Sequence, residues 1–75
     1  MVIRYTKHAR FQMRVRRISR DEVEAVMADP AMRLPERGGR RHVLKRVAGR
    51  LLRVVSMPAD PDCWIITAYA PEEGE

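Results

Sequence analysis

The sequence predicts an α+β fold, with two N-terminal helices packed on one face of a small antiparallel sheet of three to four strands. Two observations lead there. Helical periodicity fills the first third of the chain, and three strand-like runs, "RHVLKRV", "RLLRVVSM" and "CWIITAY", fill the last half. A loop rich in Pro and Gly, "AMRLPERGGR", separates the two regions, which is the order of a helical layer followed by a meander.

The elements follow in turn. "VIRY" alternates and reads as a short first strand or an extended arm, with Thr6 placed to cap the helix behind it. In "HARFQMRVRRIS", wound at about 100° per residue, Phe11 and Val15 fall on one arc and Ala9 and Met13 on another. Between them runs a polar stripe of His8, Gln12 and Arg16. Lys7, Arg10, Arg14 and Arg17 make a second stripe on the side where solvent is expected. The next helix carries an S-x-x-E capping box at Ser19 and Glu22, acids in its first turn, and Val23, Val26, Met27 and Pro30 on one face. Asp29-Pro30 ends it.

A short edge strand is expected around Met32 to Leu34, and Gly49 suits the left-handed last residue of a three-residue hairpin loop. That register puts His42, Leu44, Leu52, Val54 and Ser56 on one face, and Arg41, Val43, Lys45, Leu51, Arg53, Val55 and Met57 on the other. Neither face is cleanly apolar, so the side that meets the helices stays open.

With 75 residues the chain is one small domain, expected over 1–71 with an acidic, disordered tail at 72–75. It buries roughly 60% of its unfolded surface. A single cysteine, Cys63, rules out an intrachain disulfide and fits a reducing, cytoplasmic setting. The longest uncharged stretch, "CWIITAYAP", falls far short of the ~20 residues that cross a bilayer, and the N-terminus lacks a secretory h-region. His8, His42 and Cys63 have no metal-ligand spacing, and no cofactor is implied.

Net charge is +5, and all fifteen Lys and Arg lie in the blocks 4–20 and 33–53, where Glu36 is the only acid. Such segregation attracts a polyanion or an acidic protein. Arg10, Arg14, Arg40, Arg41, Lys45 and Arg53 are the expected nucleic-acid contacts.

"HARFQMRVRRIS", an acidic helix, "GRLLRVVSM" and a closing "IITAY" together resemble a small bacterial family of domains of unknown function. The family's signature is H-A-x-x-R-M-x-x-R-G-I-S with a terminal i-T-x-Y. The resemblance runs from about Tyr5 to Ala70. That family has been grouped with barnase, EndoU, colicin and RelE-like nucleases, many of them metal-independent ribonuclease toxins. It therefore implies a RelE-like plan, with His8, Arg16, Thr67 and Tyr69 at the matching positions as catalytic residues, and RNA or an acidic antitoxin-like protein as partner. Gln12 stands where the family has Arg, and Arg17 where it has Gly, at a helix stop that calls for a left-handed residue.

Metal-free RNA cleavage needs a base for the 2′-hydroxyl, an acid for the leaving oxygen and fixed positive charge on the phosphorane, roles that His, Tyr and Arg can fill. In a helix's first turn, unpaired N–H groups beside Lys7 and Arg10 favour a neutral His8. Arg16 is two turns further along, about 12 Å in rise, so the two residues can face one elongated groove but not one atom. The alternative expectation is a non-catalytic basic domain that binds an acidic partner or nucleic acid.

Overall fold

A computed structural model describes residues 2–73. The elements in chain order are β1 (Val2–Tyr5), α1 (Lys7–Arg16), α2 (Arg20–Ala28), β2 (Met32–Arg33), β3 (Arg41–Val47), β4 (Arg50–Ala59) and β5 (Asp62–Tyr69). The strands form one five-stranded sheet in the order β1-β5-β4-β3-β2. The fold is α+β, but the sheet is larger than the three to four strands expected and is mixed rather than antiparallel. "VIRY" is a strand, not an arm, and pairs parallel to β5 from Val2↔Asp62 to Tyr5↔Ile65. Its partner lies at the far end of the chain, so nothing local distinguished strand from arm. The pairing covers an edge of β5 that would otherwise stay open.

Both helices use the caps written in the sequence. Thr6 Oγ1 accepts from the Ala9 N–H at 3.0 Å, and Ser19 and Glu22 close the capping box, with bonds of 3.1 and 2.8 Å. α1 ends in a Schellman turn. Arg17 is left-handed (φ 55°, ψ 50°), and the Ile18 and Arg17 N–H groups donate to the Met13 and Arg14 carbonyls. Of the two apolar arcs of α1 only one is buried. Ala9 and Met13 enter the core, whereas Phe11 and Val15 stay 55% and 60% exposed. The polar stripe is thus the boundary of the buried face rather than its centre.

The hairpin register differs from the expected one. Ala48 and Gly49 both have positive φ (52° and 84°), so the β3–β4 connection is a two-residue turn with Val47 opposite Arg50. The slip of one residue reverses the partnership of the two strands' faces. Val43, Leu52 and Val54 join Ala9, Met13, Ile18, Val23, Val26, Ile65, Ala68 and Ala70 in the core beneath the helices. His42, Leu44, Arg53 and Val55 share the opposite face, because His42 pairs with Val55 and Leu44 with Arg53.

β5 changes phase partway. Val55 pairs with Thr67 but Ser56 pairs with Ile65, leaving Ile66 as an extra residue. Cys63 and Ile65 are buried before it, Ala68 and Ala70 after it, and Thr67 and Tyr69 turn to the strand face opposite the core, where the edge of β5 meets α1. The segment expected as a tail is hydrogen-bonded where described: the Glu73 N–H donates to the Ala70 carbonyl at 3.0 Å, and Glu72 pairs with Arg46 at 2.9 Å. Residues 74 and 75 lie outside the described residues.

A left-handed Arg carries a steric cost of about 1 kcal/mol that Gly does not. Arg17→Gly should therefore raise the urea midpoint by an amount worth about 1 kcal/mol, with α1 unchanged by circular dichroism.

Candidate functional site

The start of α1 is fixed to the bulge in β5. The Thr6 N–H donates to the Ile65 carbonyl at 3.2 Å, and its hydroxyl reaches the Ile65 and Ile66 carbonyls, both at 3.2 Å. The same oxygen accepts from Ala9, so one side chain joins the first turn of α1 to the residues where β5 changes phase. Beyond this junction His8, Gln12 and Arg16 of α1 stand across from Thr67 and Tyr69 of β5, and the five line one cavity of about 290 Å³. All four residues expected to be catalytic meet there. Gln12 is the fifth. The groove is open: His8 is exposed and the other four are half-buried.

Within it, the Arg16 Nε–H donates to Gln12 Oε1 at 3.0 Å, one helical turn back. That bond uses one of five guanidinium donors and leaves both terminal nitrogens for an anion. Among the described residues Arg16 forms no close ion pair, and Glu73, gripped by Arg50, feels its charge only at longer range. Tyr69 lies directly opposite Arg53 across β4 and β5, and the Arg53 guanidinium sits 5.9 Å from the ring centre.

The far end of α1 is held by Arg50. Its Nη2 and Nη1 groups donate to the Arg16 and Arg17 carbonyls at 2.9 and 3.0 Å, and its Nε and Nη2 groups grip Glu73 at 2.8 and 3.0 Å. This fork answers two carbonyls left free by the helix end. Hydrogen bonding to Arg50 holds the Glu73 carboxyl below its ordinary range, and the same contact raises Arg50.

The expected nucleic-acid contacts do not form one surface. Arg10 lines a cavity with Arg4, Tyr5, Arg20 and Trp64 on the β1 side, and Arg14 is exposed on the outside of α1. Arg41 pairs with Glu36 and Lys45 with Asp29, each at 3.5 Å, while Arg40 is exposed in a turn. Lys45, opposite Leu52, lies on the helix side, and Arg53 on the other. Near β1, Tyr5 donates to Glu24 at 2.9 Å; burial and that carboxylate raise its hydroxyl well above the usual value.

His42 is not among the residues expected to be catalytic or to contact nucleic acid. It is half-buried, and its Nδ1 lies 2.9 Å from Arg53 Nη2. Arg can only donate, so Nδ1 accepts and the proton of the neutral ring resides on Nε2. Burial first, then Arg53, Arg40 and Arg37, hold His42 below its ordinary 6.5. No short-range motif joins His42 to Arg53; only the two-residue hairpin register brings them to one face.

Among the described residues no group of three His, Cys, Asp or Glu side chains is placed to hold a metal ion, and Cys63 is buried and free. Among the described residues no helix is long and apolar enough to cross a membrane. A family model described as "Domain of unknown function (DUF4258)" matches residues 5–70. Comparison with curated proteins and with solved structures gives no match.

Two outcomes follow from these contacts. Arg50→Ala strands the Arg16 and Arg17 carbonyls and should cost about 1–3 kcal/mol in denaturant unfolding, with Arg50→Lys recovering only part because an ammonium lacks the fork. For His42, a folded value below 6.5 means that the unfolded chain binds the proton first. Its contribution is fully present above that pH and is lost as pH falls below it. Between about pH 7.5 and about pH 5.5 stability should drop, and His42→Gln, which keeps an acceptor for Arg53, should flatten the drop.

Proposed function

Since the chain belongs to the DUF4258 family, whose description carries no activity, the groove itself has to supply the reading, and we propose a metal-independent endoribonuclease of toxin-antitoxin type, RelE-like in plan. The observation that carries it is the convergence of His8, Arg16, Thr67 and Tyr69, drawn from two distant segments, on one open cavity. Each has a role in 2′-hydroxyl attack. His8, exposed at the groove's end, takes the proton of the 2′-hydroxyl. Arg16 holds the phosphorane oxygens with the donors that Gln12 leaves free. Tyr69 gives its hydroxyl proton to the leaving 5′-oxygen, and Thr67 donates to a phosphate oxygen. Gln12 is a positioning residue that fixes the Arg16 fork. Atoms balance without a metal: the 2′-oxygen bonds to phosphorus, the 5′-oxygen leaves, and a 2′,3′-cyclic phosphate remains.

A second reading keeps the groove and drops the chemistry. The exposed pair Phe11 and Val15 flanks the stripe on α1, and an apolar ridge beside a cation with no close ion-pair partner among the described residues suits an acidic protein partner, antitoxin-like or otherwise.

His8→Ala and Arg16→Ala should each reduce cleavage of labelled RNA in EDTA by ~100-fold or more. His8 is exposed and, among the described residues, the Arg16 side chain bonds only Gln12, so both variants should unfold at nearly the wild-type midpoint. Wild-type protein inert toward several RNAs would leave the binding domain standing.

A further inference from the structure

On the sheet face opposite the core a second cavity, of about 390 Å³, is linked to the first where Arg53, which lines it, sits over the Tyr69 ring. Leu34, Pro35, Arg37, His42 and Arg53 line it. Its outer wall is the loop between β2 and β3, pinned where the Leu34 N–H donates to the His42 carbonyl at 2.9 Å. The loop's tip is closed by reciprocal backbone bonds between Arg37 and Arg40 across Gly38 and Gly39. Arg53 is the shared partition, contacting His42 in one cavity and the Tyr69 ring of the other. We infer that this second cavity is a subsite of the same groove, taking the phosphodiester and base of a nucleotide next to the cleaved bond in single-stranded RNA.

Three features support it. The polar lining is cationic or neutral: Arg37 and Arg53 supply positive charge, and among the described residues no carboxylate lines the cavity, since Glu36 lies in the neighbouring one and pairs with Arg41. His42 accepts from Arg53, so its Nε2–H is a donor for a phosphate oxygen or a base edge, while Leu34 and Pro35 give an apolar wall for a base. Finally, Arg53 serves stability poorly. Its Nε is buried without a partner, and an apolar side chain opposite Leu44 would pack there at lower cost.

The subsite rests on the ribonuclease reading, yet the chain's two histidines allow each to be tested separately, because His8 reports the first cavity and His42 the second. The full chain is titrated with a 2′-O-methyl tetranucleotide, which cannot be cleaved, while both imidazole resonances are followed by NMR. Both should shift together. Arg37→Ala, a change at an exposed loop tip, should weaken the affinity about tenfold and abolish the His42 shift while the His8 shift persists. A His8 shift alone would overturn the subsite and leave the first groove standing. A His42 shift alone, lost in Arg37→Ala, would uphold the subsite and overturn the catalytic reading. Neither resonance moving would overturn both, as would shifts indifferent to Arg37→Ala for the subsite.

Discussion

One extra residue in the last strand governs what this sheet can present. With regular alternation through β5, the side of the strand that carries Cys63 and Ile65 would also carry Thr67 and Tyr69, placing two hydroxyls beneath the helices. Ile66 absorbs the half-step, so the alanines at 68 and 70 go inward and the hydroxyls go out. The irregularity is held in place by Thr6, whose single oxygen caps α1 and bonds the carbonyls at 65 and 66. Strand phase, helix start and groove geometry therefore depend on the same few atoms.

Arg50 completes the frame at the other end of α1. Four of its bonds are shared between the helix terminus and Glu73, so the backbone bearing Arg16 is fixed to the first residue of β4. Between these two anchors the helix lies as a short beam along β5. The sheet becomes two-sided in consequence: aliphatic and close-packed toward the helices, and on the other side mixed, with Leu44 and Val55 beside the polar link from His42 through Arg53 to Tyr69. A small domain that places arginine, histidine and tyrosine side by side on one sheet face forgoes burial it can ill spare.

Much of this was legible in the residues. Caps at Thr6 and Ser19 and the stop at Arg17 depend on neighbours three or four positions away, and each formed as read. The His8, Arg16, Thr67 and Tyr69 set also came together, from a family pattern rather than from periodicity. What failed was longer in range or finer in phase. The parallel partner of "VIRY" is the last strand, out of reach of any local rule. The hairpin turned on whether Ala48 would join Gly49 in left-handed space; it does, and the one-residue slip moved His42 from the face opposite Arg53 to the face beside it. The bulge left a mark that alternation alone shows: in "CWIITAYA" the buried positions run 63, 65, then 68, 70, with adjacent isoleucines at the break.

The parallel pairing of β1 with β5 also has a meaning in time. Its contacts join residues about sixty positions apart, from Val2↔Asp62 onward, and loop closure of that length precedes any reward from the pairing. The β3–β4 hairpin, closed by two residues, is local and quick by comparison. During synthesis the helix that carries His8 and Arg16 emerges long before the strand that carries Thr67 and Tyr69. A nascent chain thus exposes half a groove, and the completed one exists only when the C-terminal strand has left the ribosome that made it.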